Sequence, residues 1–336
     1  MASFRARGNG WEATVDLMVG GTRIRKSQIF DKKGQAQAWA ADFESTVRSE
    51  RRGEVVDRPL VDLFDRYVRE VCPTKKGEKF ETLRLAAFSR DPTLKNLSAL
   101  SATSTDMAKW RDRRLKDVSP ATVNREWNLI SNVFTVARKE WRWAKDNPMA
   151  DVKRPPATPA RTKLPTQYEI DAMCVALGYD EDLVPETDTA RVGAAFLFAI
   201  ETAMRAGEIC ALLPSDVDLV SRVAVVRGTD LGAGKSGRRV VPLTTKAVWL
   251  IQSLPETEGP LFGLKSASMD VLFRKGRARA GVGDLHFHDS RALALTRMST
   301  KLQPLQLAKV AGHKNLQMIL NVYYRETMED VAKLLD

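Results

Sequence analysis

Over residues 11–29 apolar and polar positions alternate around Gly20-Gly21, the period of a half-buried strand. The glycine pair supplies the positive φ of a tight hairpin turn, so the pattern predicts two strands joined there. The period then changes. Ala36, Trp39, Ala40, Phe43 and Val47 recur at helical spacing, predicting one helix against that small sheet. From 59 to 146 the chain reads as helical throughout. Leu60, Leu63, Phe64, Tyr67 and Val68 mark one buried face. A polar cap at Thr103 or Ser104 opens a helix carrying Met107, Trp110 and Leu115. Ser119-Pro120, a cap followed by a first-turn proline, opens a long one through Val123, Trp127, Ile130, Val133, Phe134, Ala137 and Trp141. Core packing is the first reading of Trp110 and Trp127.

Residues 147–163 hold four prolines and almost no core-type positions, the mark of an extended connector. Beyond them, Val192–Leu213 is apolar and helix-rich but interrupted at Ala203–Gly207. Two β-type runs, Arg222–Arg227 and Arg239–Leu243, flank the glycine-rich loop Gly228–Gly237, and helices follow to the end. The expected organisation is a β-sheet-plus-helix module over 1–55, a helical domain over 56–153, a linker over 154–163 and a mostly helical domain with a small β-hairpin sheet over 164–336. The fold class is mainly α, multidomain α+β.

Composition narrows the function. With 336 residues, 43% apolar and 28% charged, the chain has material for two or three globular domains and is not wholly disordered. Cys72, Cys174 and Cys210 lie too far apart for a disulfide framework or a paired-cysteine metal site. With no cationic-then-apolar leader, that points to a reducing cytoplasm, and the Val192–Ile200 run is too short to span a bilayer, so no membrane partner is expected. The net charge of +11 points to a polyanion, because each neutralised phosphate releases counterions. A merely soluble basic surface gives the same number. Candidate DNA contacts are Arg23, Arg25 and Lys26 on the first module, beside Arg5 and Arg7, and Lys109, Arg111, Arg113 and Arg114 on the helix after Thr103. Solvated charge is the plain alternative for each.

Chemistry shows where polar residues interrupt apolar sequence. Arg205 breaks a core-like segment, FLFAIETAMRAGEICALL, and a buried arginine is costly unless an anion meets it. Glu208, one turn on, can orient its guanidinium, and alone the two would be a structural pair. His288 and Arg291 stand three apart at the start of a helix in LHFHDSRALALT. Gly312-His313 precedes the tyrosines Tyr323 and Tyr324 by about ten residues, and Lys235 sits in GKSGRRVVPL at the tip of a hairpin.

In this order and spacing, the boxes ETAMRAGEICALL, RRVVPL, HFHDSR and AGHKN…YYRE resemble the tyrosine recombinase family, the integrases of temperate phages. The likeness covers roughly residues 164–336 by motif. The N-terminal half resembles the family by layout, as an arm-type DNA-binding module followed by a helical core-site-binding domain. The resemblance implies that Arg205 and Arg291 clamp the scissile phosphate, with Glu208 supporting. Planar guanidinium forks bind phosphate bidentately and stay charged. By the same resemblance His288 and His313 donate hydrogen bonds and assist proton transfer, Lys235 protonates the departing 5′ oxygen, and Tyr323 is the nucleophile of a 3′-phosphotyrosyl link. No metal and no cofactor is expected, fixed guanidinium charge taking the metal's place. The implied partners are double-stranded attachment-site DNA, further copies of the chain as a tetramer on DNA, and DNA-bending and directionality factors. The implied setting is the cytoplasm of a bacterium or phage-infected host, at the nucleoid. A dimer-resolving recombinase and a DNA-binding regulator with a degenerate catalytic domain are the alternatives.

Three departures from the family pattern stand out. The step from His313 to Tyr323 is one residue longer than usual, which leaves Tyr324 as a competing nucleophile and Tyr323 as a member of an apolar face with Leu316, Ile319 and Leu320. Lys235 lies one position nearer the VVPL run than usual. Ala292-Leu293 replaces a polar pair after the His–Arg box. His286 is read as a structural histidine. After Tyr324, Met328, Val331, Ala332, Leu334 and Leu335 have helix-like spacing. So short a helix needs a surface, either a neighbouring protomer's or its own domain's.

Overall fold

The computed structural model describes residues 2–8, 10–19, 22–51, 55–157, 161–227, 237–313 and 315–324. The chain divides into two compact units, residues 1–160 and 161–336. The predicted architecture is the observed one: a small β-sheet with a helix, a helical middle region, and a mostly helical C-terminal region with a small antiparallel sheet.

In the first unit, strands β1 (Ala2–Arg7), β2 (Gly10–Val19) and β3 (Thr22–Phe30) form an antiparallel sheet in that order. Alternation predicts β2 and β3. β1 is additional, because Ala2, Phe4 and Ala6 carry too little apolar side chain to announce a strand. Val19 pairs with Thr22, and the predicted turn residues Gly20-Gly21 lie outside the described residues. Helix α1 (Lys33–Arg51) buries Ala36 and Ala40 against Ala13 and Val15, the inward positions of β2.

Four helices follow: α2 (Leu60–Glu70), α3 (Glu78–Phe88), α4 (Ser104–Asp117) and α5 (Pro120–Val136). Their shared core holds Phe64, Tyr67, Trp110, Trp127 and Phe134, so both tryptophans are packing residues. The starts are fixed by local chemistry. Thr103 and Asp106 exchange side-chain and backbone hydrogen bonds at the head of α4. Ser119 accepts from the Thr122 N–H with Pro120 in the first turn of α5.

The second unit contains α6 (Gln167–Leu177), α7 (Asp188–Thr202), the short α8 (Ala206–Cys210), strands β4 (Val217–Asp218), β5 (Val223–Val226) and β6 (Arg239–Pro242), then α9 (Thr245–Gln252), α10 (Ser266–Ala280), α11 (Asp289–Ser299), α12 (Pro304–Ala311) and α13 (Leu316–Tyr323). Helix α7 is enclosed on nearly every side, and its Phe196 and Phe198 meet Phe273, Phe287 and Phe262. At Gly276 of α10 a Cβ would stand 2.6 Å from the Leu177 side chain, so a larger residue would have to displace Leu177 at this crossing with α6. The sheet runs β4-β5-β6, antiparallel, with Val226 opposite Arg239. Among the described residues, no helix is long and apolar enough to cross a membrane.

Candidate active site

Helix α7 ends at Ala203, a non-glycine residue in the left-handed region at φ 55°. Such a turn costs about 1 kcal/mol or more for an L-residue. It breaks the helix where the sequence pattern places an interruption, puts Arg205 at the head of α8, and turns the Ala203 carbonyl toward α11. There it accepts from Nη1 of Arg291. Nη2 of Arg291 donates to the Ala311 carbonyl at 2.5 Å, at the end of α12. Arg291 is only 3% exposed and, among the described residues, makes no ion pair. Two helix C-termini, each carrying partial negative charge, hold it instead. Burial and the neighbouring Arg205 pull its guanidinium down to about 10, so the charged form is held under strain that an incoming anion would relieve.

Glu208 is wholly buried on α8 and joins two arginines. Arg205 donates to it from Nη1 at 3.1 Å and from its backbone N–H at 2.9 Å. Arg239 of β6 adds a two-pronged contact at 2.9 and 2.7 Å. The sequence reading missed Arg239. The available signal was strand alternation, which puts it on the same face as the buried Val241. Two guanidinium groups thus meet one carboxylate, a third on Arg291 lies within its field, and the local excess of positive charge suits a phosphate.

The two predicted histidines approach from separate turns. His288 immediately precedes α11. Burial of the ring, then Arg291 and Arg205, holds it below the usual imidazole range. His313 follows Gly312, whose left-handed φ of 64° ends α12 and lets the chain turn back. Burial and the surrounding arginines push His313 down to about 4. Both rings are therefore neutral near pH 7, each with one donor and one acceptor nitrogen. A cleft of 380 Å³ opens beside His288, lined by Arg205, His286 and Arg291 together with Asp270, Arg274 and Arg277 of α10.

The turn bearing His288 is braced by a residue that no motif announced. Arg161 grips Asp289 with two hydrogen bonds of 2.8 Å and reaches Asp284 at 2.8 Å. Asp289 also accepts from the His286 N–H at 2.8 Å. His286 thus supports this turn through its backbone and also lines the cleft.

The tyrosines part company in structure. Tyr323 is the last residue of α13, and both tyrosines pack, partly buried, against the small core that holds Ala203, Ala294, Leu295, Leu307, Ala311 and Ile319. Burial pushes its phenol up while the charge of Arg291 opposes that shift, which places the hydroxyl within the field of the cluster. Tyr324 donates its hydroxyl to the Leu302 carbonyl. Lys235 and the stretch from Met328 to Leu335 lie outside the described residues.

The candidate DNA contacts on α4 are mostly engaged within the protein. Arg114 makes two hydrogen bonds, 2.8 and 2.9 Å, to the wholly buried Glu126. Arg113 pairs with Asp91 and Asp117, and Arg111 with Asp112 and the Lys153 carbonyl. Lys109 is exposed, with Asp106 at 3.6 Å. On the first module Arg23 pairs with Asp16, Lys26 lies 5.3 Å above the Phe43 ring, and Arg25 is exposed.

The chain matches the phage integrase family over residues 167–330 and the phage integrase N-terminal domain over 57–154. An integrase/recombinase-type protein of Haemophilus influenzae is 37% identical over 302 residues, spanning 89% of this chain and 97% of the relative. A shufflon-specific DNA recombinase of Escherichia coli is 29% identical over 81% of this chain and 70% of its own length. In fold, the chain is similar to a lambda integrase dimer bound to a core site, with a TM-score of 0.63 at 17% identity, covering 96% of each chain. The Tn1549 transposon integrase in complex with circular intermediate DNA also gives 0.63, at 18% identity, over 83% of this chain and 99% of the other.

Proposed function

Because the chain belongs to the phage integrase family and is a tyrosine-type site-specific DNA recombinase, we propose that Arg205 and Arg291 bind the scissile phosphate and that Tyr323 attacks it. The observation that supports this most strongly is the cluster around Glu208 and Arg291: guanidinium charge in excess of carboxylate, at a cleft that admits a ligand. Fixed cations of this kind stabilise the charge that develops on the non-bridging oxygens. Glu208 supports Arg205.

In the proposed step the Tyr323 oxygen forms a bond to phosphorus and the bond from phosphorus to the 5′ oxygen breaks. The phenol proton passes to a neutral imidazole, His288 or His313, whose depressed basicity keeps an acceptor nitrogen free. Lys235 supplies a proton to the departing 5′ oxygen. The 3′-phosphotyrosyl ester conserves the bond energy, and a 5′ hydroxyl from a second strand reverses the step, giving exchange through a Holliday junction.

The wider reading is an integrase that inserts or excises mobile DNA at attachment sites, as a tetramer on double-stranded DNA in the cytoplasm, at the nucleoid. DNA-bending and directionality factors would assist. Residues 1–55 would bind arm-type sites and 56–153 core sites. The DNA-bound relatives of the same fold support the choice of partner. The test is a duplex nicked beside the cleavage point, which traps the covalent adduct. Tyr323→Phe should bind that duplex and form no adduct. An adduct that persists in this variant and disappears in Tyr324→Phe would transfer the nucleophile to Tyr324.

A further inference from the structure

Two cations that line the cleft, Arg274 and Arg277 of α10, take no part in the step just described. They stand three apart, so the helix presents them side by side. Nη1 of Arg277 donates to the Leu285 carbonyl at 3.1 Å, which ties α10 to the turn leading to His288. The Arg277 side chain is partly buried, and among the described residues it meets no carboxylate. Nε of Arg274 donates to Asp270, one turn back, at 3.1 Å, and both of those side chains are more than half exposed. Water competes for each partner of so exposed a pair, so it is weak.

A tie to one carbonyl needs a donor and no charge. Taking a guanidinium partly out of water without a counter-ion is costly, so the placement of Arg277 calls for an anion from outside the protein. The cleft's 380 Å³ matches a pocket for a whole small ligand and exceeds what a single phosphate group fills. Asp270 is the one carboxylate among the described residues that line it, against four arginines. A DNA strand that brings one phosphate to Arg205 and Arg291 carries the next about 3.4 Å farther along the helix axis. That second charge enters the same region. Arg277 suits it, because the Leu285 carbonyl fixes the side chain while its planar fork keeps further N–H groups for phosphate oxygens.

We infer that Arg277, with Arg274 beside it, binds the phosphodiester next to the scissile one and so fixes the register of the strand in the active site. The inference rests on the proposed roles of Arg205 and Arg291. Register decides which bond Tyr323 meets, since a slip of one nucleotide presents the wrong phosphate.

The test places a single uncharged methylphosphonate in the nicked duplex, at the scissile position or at the phosphate on either side of it. The full chain, Arg277→Met, Arg274→Met and Arg205→Ala are each measured for affinity and for single-turnover adduct formation. On the all-phosphate duplex Arg277→Met should bind on the order of 10-fold more weakly. A methylphosphonate at one flanking position should erase that deficit, because the contact is already gone, and the position that does so shows on which side the strand is held. At the scissile position the deficit should remain. A deficit that persists on both flanking duplexes, or no deficit at all, overturns the inference. Arg274→Met, at an exposed position, carries the same comparison should Arg277→Met fail to fold. Arg205→Ala separates the two readings, since its own deficit should be erased only by the scissile methylphosphonate. If it is not, the assignment of Arg205 fails, whereas a flank-selective loss in Arg277→Met still shows a phosphate held at α10.

Discussion

Arg161, near the end of the proline-rich stretch, holds the buried carboxylate of Asp289 through two hydrogen bonds of 2.8 Å, one residue beyond His288. The pair raises the affinity of Arg161 for its proton and fixes the turn from which His288 projects. Arg161→Ala would leave Asp289 buried and short of a cation. The guanidinium is about a third exposed, so we expect a loss of about 2 kcal/mol, below the range for fully buried pairs. Thermal melting checks the stability. Adduct formation should slow beyond what the melting shift explains, because His288 loses its bracing.

Tyr324→Phe should retain covalent adduct formation. The hydroxyl it removes donates to the Leu302 carbonyl, and losing one such hydrogen bond costs about 1 kcal/mol. A modest drop in melting temperature with an intact adduct is the expected result on the nicked duplex.

His313 makes stability depend on pH. Its folded value, about 4, lies below the ordinary 6.5, so between those limits the unfolded chain binds more protons. Its contribution is therefore complete above pH 6.5 and is lost progressively as pH falls toward 4. Melting curves of the full chain and His313→Gln, taken from pH 7.5 to 4.5, should converge as the pH falls. A constant gap would contradict the depressed value.

The α4 cations should behave unequally. Arg114→Ala removes two hydrogen bonds to the buried Glu126, although Arg84 remains 3.3 Å from that carboxylate. We expect a loss of about 2 kcal/mol in thermal or denaturant unfolding. Lys109→Ala should leave stability unchanged within about 0.5 kcal/mol. If Lys109 meets a phosphate, its loss should also lower the salt slope of DNA binding by about one.

What the sequence determined by itself follows from local rules. Periodicity located β2, β3 and the main helices, because each must bury one face. Ser119-Pro120 marked the start of α5, because its chemistry is complete within four residues. Arg205 stood out because it interrupts an apolar run that a core would otherwise claim, and Glu208, His288, Arg291 and His313 because their order and spacing around it resemble the family's boxes.

The tertiary structure decided what depends on distant partners. Arg239 and Arg161 have no local signature, since the carboxylates they hold lie 31 and 128 positions away in the chain. The α4 arginines look like free cations in sequence, and only packing shows that Glu126 and Asp91 hold two of them. Spacing cannot separate Tyr323 from Tyr324 either. In the folded chain the Tyr324 hydroxyl donates to the Leu302 carbonyl and the Tyr323 phenol feels the charge of Arg291, relations that no spacing reveals. Electrostatics and hydrogen bonding act through space, so these assignments require the folded chain.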